Sequence, residues 1–164
     1  MNGHMSAVPL HATAIALAVD ADGPLAGVLL LGPSGSGKST LALAAIETCP
    51  FRRSALVADD QVAIAPGGAA SAPEPLEGLI EVRGYGPARV PFVKSARLVA
   101  AFDRGLDAPR VPVIEIRSFA PGADLPVIPF RRAGAEAAAA HRLRVIVRQV
   151  LCGQIGEDPQ DARP

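Results

Sequence analysis

The sequence lacks the features that would direct it to nucleic acid, to a membrane or to a zinc site. Its 164 residues hold 16 Lys plus Arg and 16 Asp plus Glu, so no net charge favours nucleic acid or an anionic membrane as the main partner. No apolar run approaches the roughly 20 residues of a membrane span, and the N-terminus lacks the pattern of a secretory signal. The two cysteines, Cys49 and Cys152, have no C-x-x-C or Cys/His spacing. We therefore expect a cytoplasmic protein that acts on a small molecule or a protein, with both cysteines as small apolar residues.

The length suits a single domain. We expect residues 8–153 to form it and residues 154–164, which are polar, to be a flexible tail. Residues 1–7 are expected to be disordered or a tag remnant, because a second methionine, Met5, follows the first closely.

One segment has the phosphate-binding pattern G-x-x-x-x-G-K-[S/T], which residues 32–39 satisfy at every specified position. An apolar run precedes it, and helix-forming residues follow it. The pattern predicts a P-loop between a buried strand and a helix, where backbone N–H groups hold a phosphate. Lys38 would reach the β- and γ-phosphates of a nucleotide, and the Ser39 hydroxyl would bind Mg²⁺. The predicted nucleotide-binding residues are Gly32, Pro33, Ser34, Gly35, Ser36, Gly37, Lys38, Ser39 and Thr40.

Two carboxylates, Asp59 and Asp60, end the next apolar segment, residues 54–58. A P-loop phosphotransferase can place a base or a metal-binding acid at such a strand end. A solvated turn is the alternative interpretation, and the preceding P-loop favours the functional one.

A further apolar strand in residues 76–86 carries Glu81 and Arg83 on one face, because strand side chains alternate with a period of two. It ends in a Gly-x-Gly turn. The spacing leaves open whether these residues form a plain ion pair or a clamp on metal and phosphate.

The other segments are assigned from local patterns. We expect strands at residues 8–19, 25–31, 61–65, 97–102 and 111–116, and an irregular Gly/Ala/Pro-rich loop at 66–75. Residues 133–151 have the apolar spacing of an amphipathic helix, with a stop at Gly153. We interpret Arg142, Arg144 and Arg148 as solvated residues of this helix, with a docking surface for an acidic partner as the alternative.

In this order the motifs resemble the catalytic domain of the bacterial HPr kinase/phosphorylase family, in the short form without the family's N-terminal domain. The resemblance rests on His11, the P-loop, Leu-Val-Ala-Asp-Asp at residues 56–60 and Leu-Ile-Glu-Val-Arg-Gly-Tyr-Gly at residues 79–86. These matches lie within roughly residues 8–105. The resemblance implies an α/β P-loop kinase domain with a mixed sheet, akin to phosphoenolpyruvate carboxykinase.

The same resemblance implies a hexameric kinase that uses ATP and Mg²⁺ to phosphorylate a serine of the phosphocarrier protein HPr. Such an enzyme regulates the phosphotransferase system and carbon and nitrogen metabolism. Members commonly also remove the phosphate by attack of inorganic phosphate, and pyrophosphate is another donor to consider.

Residue by residue, the resemblance implies that Asp59 is the acid/base, with His11 near it. A carboxylate in this role accepts the serine proton while Mg²⁺ and Lys38 neutralise the phosphoryl oxygens. The implied catalytic residues are Asp59, His11, Lys38, Arg83 and Arg104, and the candidate metal ligands are Ser39, Glu81 and Asp60. Thr40 stands where many members have an acidic residue, and Tyr85 where an aliphatic one is usual. Only residues 125–129 are a faint candidate for the segment linked to dephosphorylation.

Two other functions remain open from the sequence. One is a P-loop kinase for a small molecule, although the proline-rich residues 106–130 do not resemble the arginine-bearing lid that it would need. The other is a nucleotide-sensing module without turnover. A transporter ATPase is disfavoured because the chain has no Leu-Ser-Gly-Gly-type signature.

Overall fold

The computed structural model describes residues 6–107 and 109–154, so most of the predicted N-terminal segment (1–7) and C-terminal tail (154–164) lies outside the described residues. The two helices are α1 (Lys38–Glu47) and α2 (Glu136–Leu151). The strands in chain order are β1 (Val8–His11), β2 (Thr13–Leu17), β3 (Ala26–Leu31), β4 (Ala55–Ala58), β5 (Gln61–Ile64), β6 (Ala69–Ser71), β7 (Leu79–Val82), β8 (Gly86–Arg89), β9 (Ser95–Asp103), β10 (Glu115–Ser118) and β11 (Asp124–Pro129).

The main sheet branches at β9. On one side, β9 pairs in parallel with β3, and the sheet continues to β2 and β4. On the other side, its first residues pair antiparallel with β6, which leads to β5 and β1, while its last residues pair in parallel with β11, which leads to β10. Strands β7 and β8 form a separate hairpin. The predicted α/β fold with a mixed sheet is confirmed.

Both helices pack on one face of this sheet. Their apolar side chains, including Leu41 and Leu143, join Phe102 and Leu30 of the sheet in one core cluster. A second cluster lies on the opposite face. Strands β2, β3 and β4 are buried on both faces, which explains their nearly continuous apolar sequence. In the part of the chain that the structure describes, neither helix is long and apolar enough to cross a membrane.

Three strand predictions need correction. Residues 8–19 contain two strands with different partners, because the chain changes sheet positions at Ala12: β1 pairs with β5, and β2 pairs with β3 and β4. The predicted loop at residues 66–75 contains β6, an inner strand. Its residues Ala69–Ser71 are small, so they gave no apolar pattern that would predict a strand. The strand expected at residues 111–116 begins only at Glu115.

The predicted helix at residues 133–151 is confirmed from Glu136 onward, and Gly153 follows its end with a φ of 77°. The prediction that Arg144 is solvated was wrong, because this residue is only 2% exposed. Its Nε donates to the Ala18 carbonyl (3.0 Å) and its Nη2 to the Ala45 carbonyl (3.1 Å). Since Ala45 lies in the last turn of α1, the cation sits at the negative end of that helix dipole.

The flanking arginines of α2 differ from each other. Arg148 is half-buried and donates from Nε to the Val19 carbonyl (2.8 Å), so the prediction of a solvated residue fails for it as well. Arg142 is exposed, and its guanidinium carbon lies 5.0 Å from the centre of the Phe130 ring.

Cys49 lies just after α1 and is a buried free cysteine. Burial raises the pKa of its thiol, but hydrogen bonds from the Ser54 side chain and from the backbone of Arg53, Ser54 and Phe51 outweigh this and bring the pKa to about 6. Burial lowers the pKa of the Arg144 guanidinium, and the nearby Cys49 raises it. Cys49 and Arg144 are therefore electrostatic neighbours between the end of α1 and the middle of α2.

Candidate active site

The P-loop adopts a conformation that requires glycine at two positions. Gly32 has a φ of 138°, and a Cβ there would lie 2.6 Å from Ser36 Oγ. Gly37, which precedes α1, has a φ of 86°, and a Cβ there would lie 3.4 Å from Arg104 Nη2. Within the described residues no side chain caps α1, so the first N–H groups of the helix have no side-chain acceptor there. These N–H groups are therefore available to an anion, and phosphate binding there stays a prediction.

Arg104 lies behind this loop. Its Nε donates to the Ser36 carbonyl (2.9 Å) and its Nη2 to Glu136 Oε1 (2.8 Å) at the start of α2. Its backbone N–H donates to the Leu31 carbonyl (2.9 Å). The Arg104 side chain is fully buried, with 0% exposure. Arg104 therefore ties the P-loop to α2 and does not face the cavity described below.

Lys38 begins α1 and is 7% exposed. Its Nζ donates to two carbonyl oxygens of the loop, those of Gly32 (2.7 Å) and Pro33 (3.1 Å). An ammonium group has three donors, so Lys38 is held beside the loop with a further donor for a phosphate oxygen.

Asp59 accepts hydrogen bonds from three directions. Ser39 Oγ donates to Oδ1 (2.7 Å) from the P-loop helix, Thr13 Oγ1 donates to the same oxygen (2.8 Å) from β2, and the Glu81 backbone N–H donates to Oδ2 (2.9 Å) from β7. Asp59 itself is 9% exposed. We call Thr13, Lys38, Ser39 and Asp59 the floor of the site. In this floor, the carboxylate serves mainly to hold three segments together.

Asp60 has a different environment from its neighbour. Its φ of 67° is in the left-handed region, and the Gln61 N–H donates across it to the Asp59 carbonyl (2.8 Å), as in a γ-turn. Such strain costs of order 1 kcal/mol or more and is found mainly at functional sites. The turn directs the Asp60 side chain, which is 69% exposed, to the surface.

His11 contacts Asp60 and not Asp59, in contrast to the position that the resemblance implied. Its Nδ1 lies 3.0 Å from Asp60 Oδ1 and 3.1 Å from the Asp60 carbonyl oxygen. Because both neighbours are acceptors, we assign the proton to Nδ1. We call His11, Asp60, Glu81 and Arg83 the rim of the site, since all four are exposed.

Floor and rim line a single open cavity of about 720 Å³. Its size is in the range of small-molecule sites. The β7–β8 hairpin forms one wall and carries Glu81 and Arg83, while Tyr85 at its tip is 80% exposed. The predicted site residues that line the cavity are His11, Ser34, Gly35, Gly37, Lys38, Ser39, Thr40, Asp59, Asp60, Glu81 and Arg83. Gly32, Pro33, Ser36 and Arg104 are not among the lining residues and shape the P-loop from behind.

A solved structure shares this architecture. The HPr(Ser) kinase/phosphatase from Coxiella burnetii superposes with a TM-score of 0.70, over 89% of this chain and 92% of that chain, at 22% sequence identity. The chain has the fold of an HPr kinase/phosphatase. No protein-family model and no curated protein matches the chain by sequence. The fold that four short motifs implied is thus confirmed by the course of the backbone.

Two residues of this HPr kinase fold were missed from the sequence. Thr13 hydrogen-bonds Asp59, and the available signal was one hydroxyl in the otherwise apolar β2. Glu136 holds Arg104, and the available signal was an acidic residue in the first turn of α2.

The site also offers oxygen ligands of the kind that Mg²⁺ prefers. Ser39 Oγ and the Asp59 carboxylate are in contact, and the Glu81 carboxylate borders the same cavity. Within residues 6–107 and 109–154, no three His, Cys, Asp or Glu side chains form a dedicated metal cluster. This donor set fits Mg²⁺, which binds one or two carboxylates and takes its other ligands from phosphates and water.

Proposed function

We propose that the chain is an ATP-dependent kinase that phosphorylates a serine of an HPr-type phosphocarrier protein, and that it belongs to the HPr kinase/phosphorylase family. The observation that carries the proposal is the His11–Asp60 pair on the rim of the cavity that contains Lys38 and Ser39. It combines a nucleotide-phosphate site with a carboxylate positioned to accept a proton.

Two exposed groups support a protein as the acceptor. The side chains of His11 and Asp60 are 55% and 69% exposed, so a serine on the surface of another protein can reach them. A kinase for a small molecule generally encloses its acceptor and excludes water from it. The same exposure argues against a purely nucleotide-sensing module, which has no use for a paired carboxylate outside the P-loop.

We exchange the roles that the resemblance implied for the two aspartates. Asp60 is the proposed base, because its carboxylate is exposed and His11 orients it. Asp59 is the proposed supporting acid, because its oxygens already accept bonds from Ser39, Thr13 and the Glu81 N–H.

In the proposed reaction, Asp60 accepts the proton of the serine hydroxyl as the serine oxygen bonds to the γ-phosphorus. The bond from this phosphorus to the β-γ bridging oxygen breaks, and ADP leaves. Lys38 donates to the phosphate oxygens, and the N–H groups at the start of α1 hold the β-phosphate. Ser39, Asp59 and Glu81 would hold Mg²⁺, which neutralises charge on the transferring phosphoryl group. Arg104 acts as a positioning residue through the Ser36 carbonyl, and Arg83 is available to the transferring phosphate from the hairpin.

Dephosphorylation would use the same groups. An oxygen of inorganic phosphate would bond to the phosphorus of the phosphoserine, the bond from this phosphorus to the serine oxygen would break, and pyrophosphate would leave, while protonated Asp60 donates its proton to the serine oxygen. We therefore include dephosphorylation by phosphorolysis in the proposal.

The test is incubation of the purified protein with γ-labelled ATP, Mg²⁺ and HPr from the same organism, followed by mass spectrometry of HPr. We expect one phosphoserine on HPr, which inorganic phosphate added afterwards should remove. Binding of ATP without any transfer to HPr would contradict the proposed acceptor and would favour the small-molecule kinase or the nucleotide sensor.

A further inference from the structure

Apolar side chains are exposed along one outer strand and the segment before it. Val111 and Val113 are 69% and 84% exposed, and Ile116 within β10 is 63% exposed. In the described residues, β10 pairs only with β11 and therefore forms an edge of the main sheet. An edge strand presents unpaired backbone N–H and C=O groups to another chain, and uncovered apolar side chains mark contact sites. This edge thus has the properties of a contact surface.

The backbone groups of Ile116 point away from the sheet. Ile116 is paired with Pro126, which has no N–H to donate. The Phe130 N–H bonds the Asp103 carbonyl of β9 (2.8 Å), and the period of two then directs the backbone groups of Pro126 toward β9 as well. Ile116 and Pro126 therefore form a non-hydrogen-bonded pair. The N–H and C=O of Ile116 are directed to the open edge, where another strand can bond them.

The charges of β10 are complementary to those of an antiparallel second copy of β10. Glu115 and Arg117 flank Ile116 on the other face of the strand. In an antiparallel pairing centred on Ile116, Glu115 would lie opposite the partner's Arg117, and Arg117 opposite the partner's Glu115. These are the closely spaced, non-hydrogen-bonded positions, where side chains interact most strongly. Val113 would lie opposite the partner's Phe119.

Neighbouring registers lack this match. A pairing centred on Glu115 would place two carboxylates opposite each other, and one centred on Arg117 would place two guanidinium groups opposite each other, which is destabilising. Among these three registers, the charges of β10 favour the one centred on Ile116.

We propose that two copies of the chain associate through β10, which pairs with itself antiparallel about a two-fold axis at Ile116 and joins the two main sheets. The occupant of the edge is a second copy because a two-fold axis brings each charge of β10 opposite its complement without any other protein. The inference does not depend on the proposed kinase activity.

The test reverses the charges of Glu115 and Arg117 in the full chain. Glu115→Arg creates Arg opposite Arg, and Arg117→Glu creates Glu opposite Glu, so each variant alone should lose the contact. The mass measured by sedimentation should fall by a factor of two relative to the wild type, whose assembly should be at least twice 16.8 kDa. The double variant E115R/R117E restores both pairs and should recover the wild-type mass.

Mixing the two single variants gives the sharpest readout. One chain then carries two arginines and the other two glutamates, so a mixed assembly should form although neither variant assembles alone through this edge. Val145→Lys on α2 is the matched control, because Val145 is apolar and 51% exposed but distant in sequence from β10. A wild-type monomer, an unchanged mass in both single variants, or a loss of assembly only in V145K would overturn the proposal.

Discussion

The floor and the rim of the cavity differ in how they are built. On the floor, Thr13, Lys38 and Asp59 are buried, and their contacts join β2, β4 and the start of α1. On the rim, His11 and Asp60 are mostly exposed and are held by one another and by a strained turn. Asp59 and Asp60 are adjacent in sequence but have different surroundings. A position in a motif therefore does not by itself determine the chemical role of a residue.

The largest effect should come from the floor. Lys38→Met removes the cation that we assign to the phosphate oxygens, and loss of one such charged donor costs about 10²–10³ in turnover. We expect phosphotransfer to fall about 10³-fold and nucleotide binding to weaken. Rate and affinity measurements on purified protein would check this. Lys94→Met, which changes an exposed lysine, should leave both unchanged; equal effects of the two variants would contradict the role of Lys38.

Glu136 and Arg104 lie behind the floor, and loss of their contact should lower the free energy of unfolding. Glu136→Gln leaves the buried Arg104 guanidinium without its carboxylate, and breaking a buried ion pair costs about 3 kcal/mol. Arg132→Gln is the matched control, because Arg132 contacts the same Oε1 (3.2 Å) but its side chain is 57% exposed. We expect the control to cost under about 0.5 kcal/mol. Denaturant unfolding measures the loss of unfolding free energy in both variants. Similar losses would show that burial does not determine how much these contacts stabilise the fold.

Cys49, at the end of α1, provides a pH-dependent contrast to the rim. Its thiol pKa is lowered from 9.0 to about 6 in the folded state, so its stabilisation is fully present above pH 9 and is lost as the pH falls through 6. Cys49→Ser removes this thiol and its hydrogen bonds, and it should cost about 2 kcal/mol at pH 9.

The difference in unfolding free energy between the wild type and Cys49→Ser should shrink steadily from pH 9 to pH 6. Denaturant unfolding at several pH values would measure it. Cys152→Ser is the control, because this cysteine is exposed and should show no such trend. A difference that is constant with pH would refute the lowered pKa of the Cys49 thiol.

The smallest effect should come from His11, which holds Asp60 on the rim. His11→Gln removes the imidazole that orients Asp60 and should lower turnover about tenfold, near 1.4 kcal/mol, with nucleotide affinity unchanged. An unchanged rate would remove His11 from the proposed mechanism.

Much of the fold and the floor could be predicted because their signals are local. The P-loop pattern, the apolar runs of β3 and β4 and the spacing of α2 each lie within about twenty residues. The partner of His11 could not be predicted, since it depends on the positive φ of Asp60. The burial of Arg144 depends on carbonyl groups of Ala18 and Ala45, which are far away in sequence. Strand β6 could not be predicted because its small residues show no alternation of apolar and polar side chains.

The most direct test of the central claim is a comparison of Asp60→Asn with Asp59→Asn in single-turnover transfer from ATP to HPr. We predict that Asp60→Asn lowers the rate about 10³-fold and leaves Mg²⁺-dependent nucleotide binding unchanged. Asp59→Asn should instead weaken Mg²⁺-dependent nucleotide binding about tenfold through its contact with Ser39. Normal transfer by Asp60→Asn, together with lost transfer and normal nucleotide binding in Asp59→Asn, would contradict the assignment.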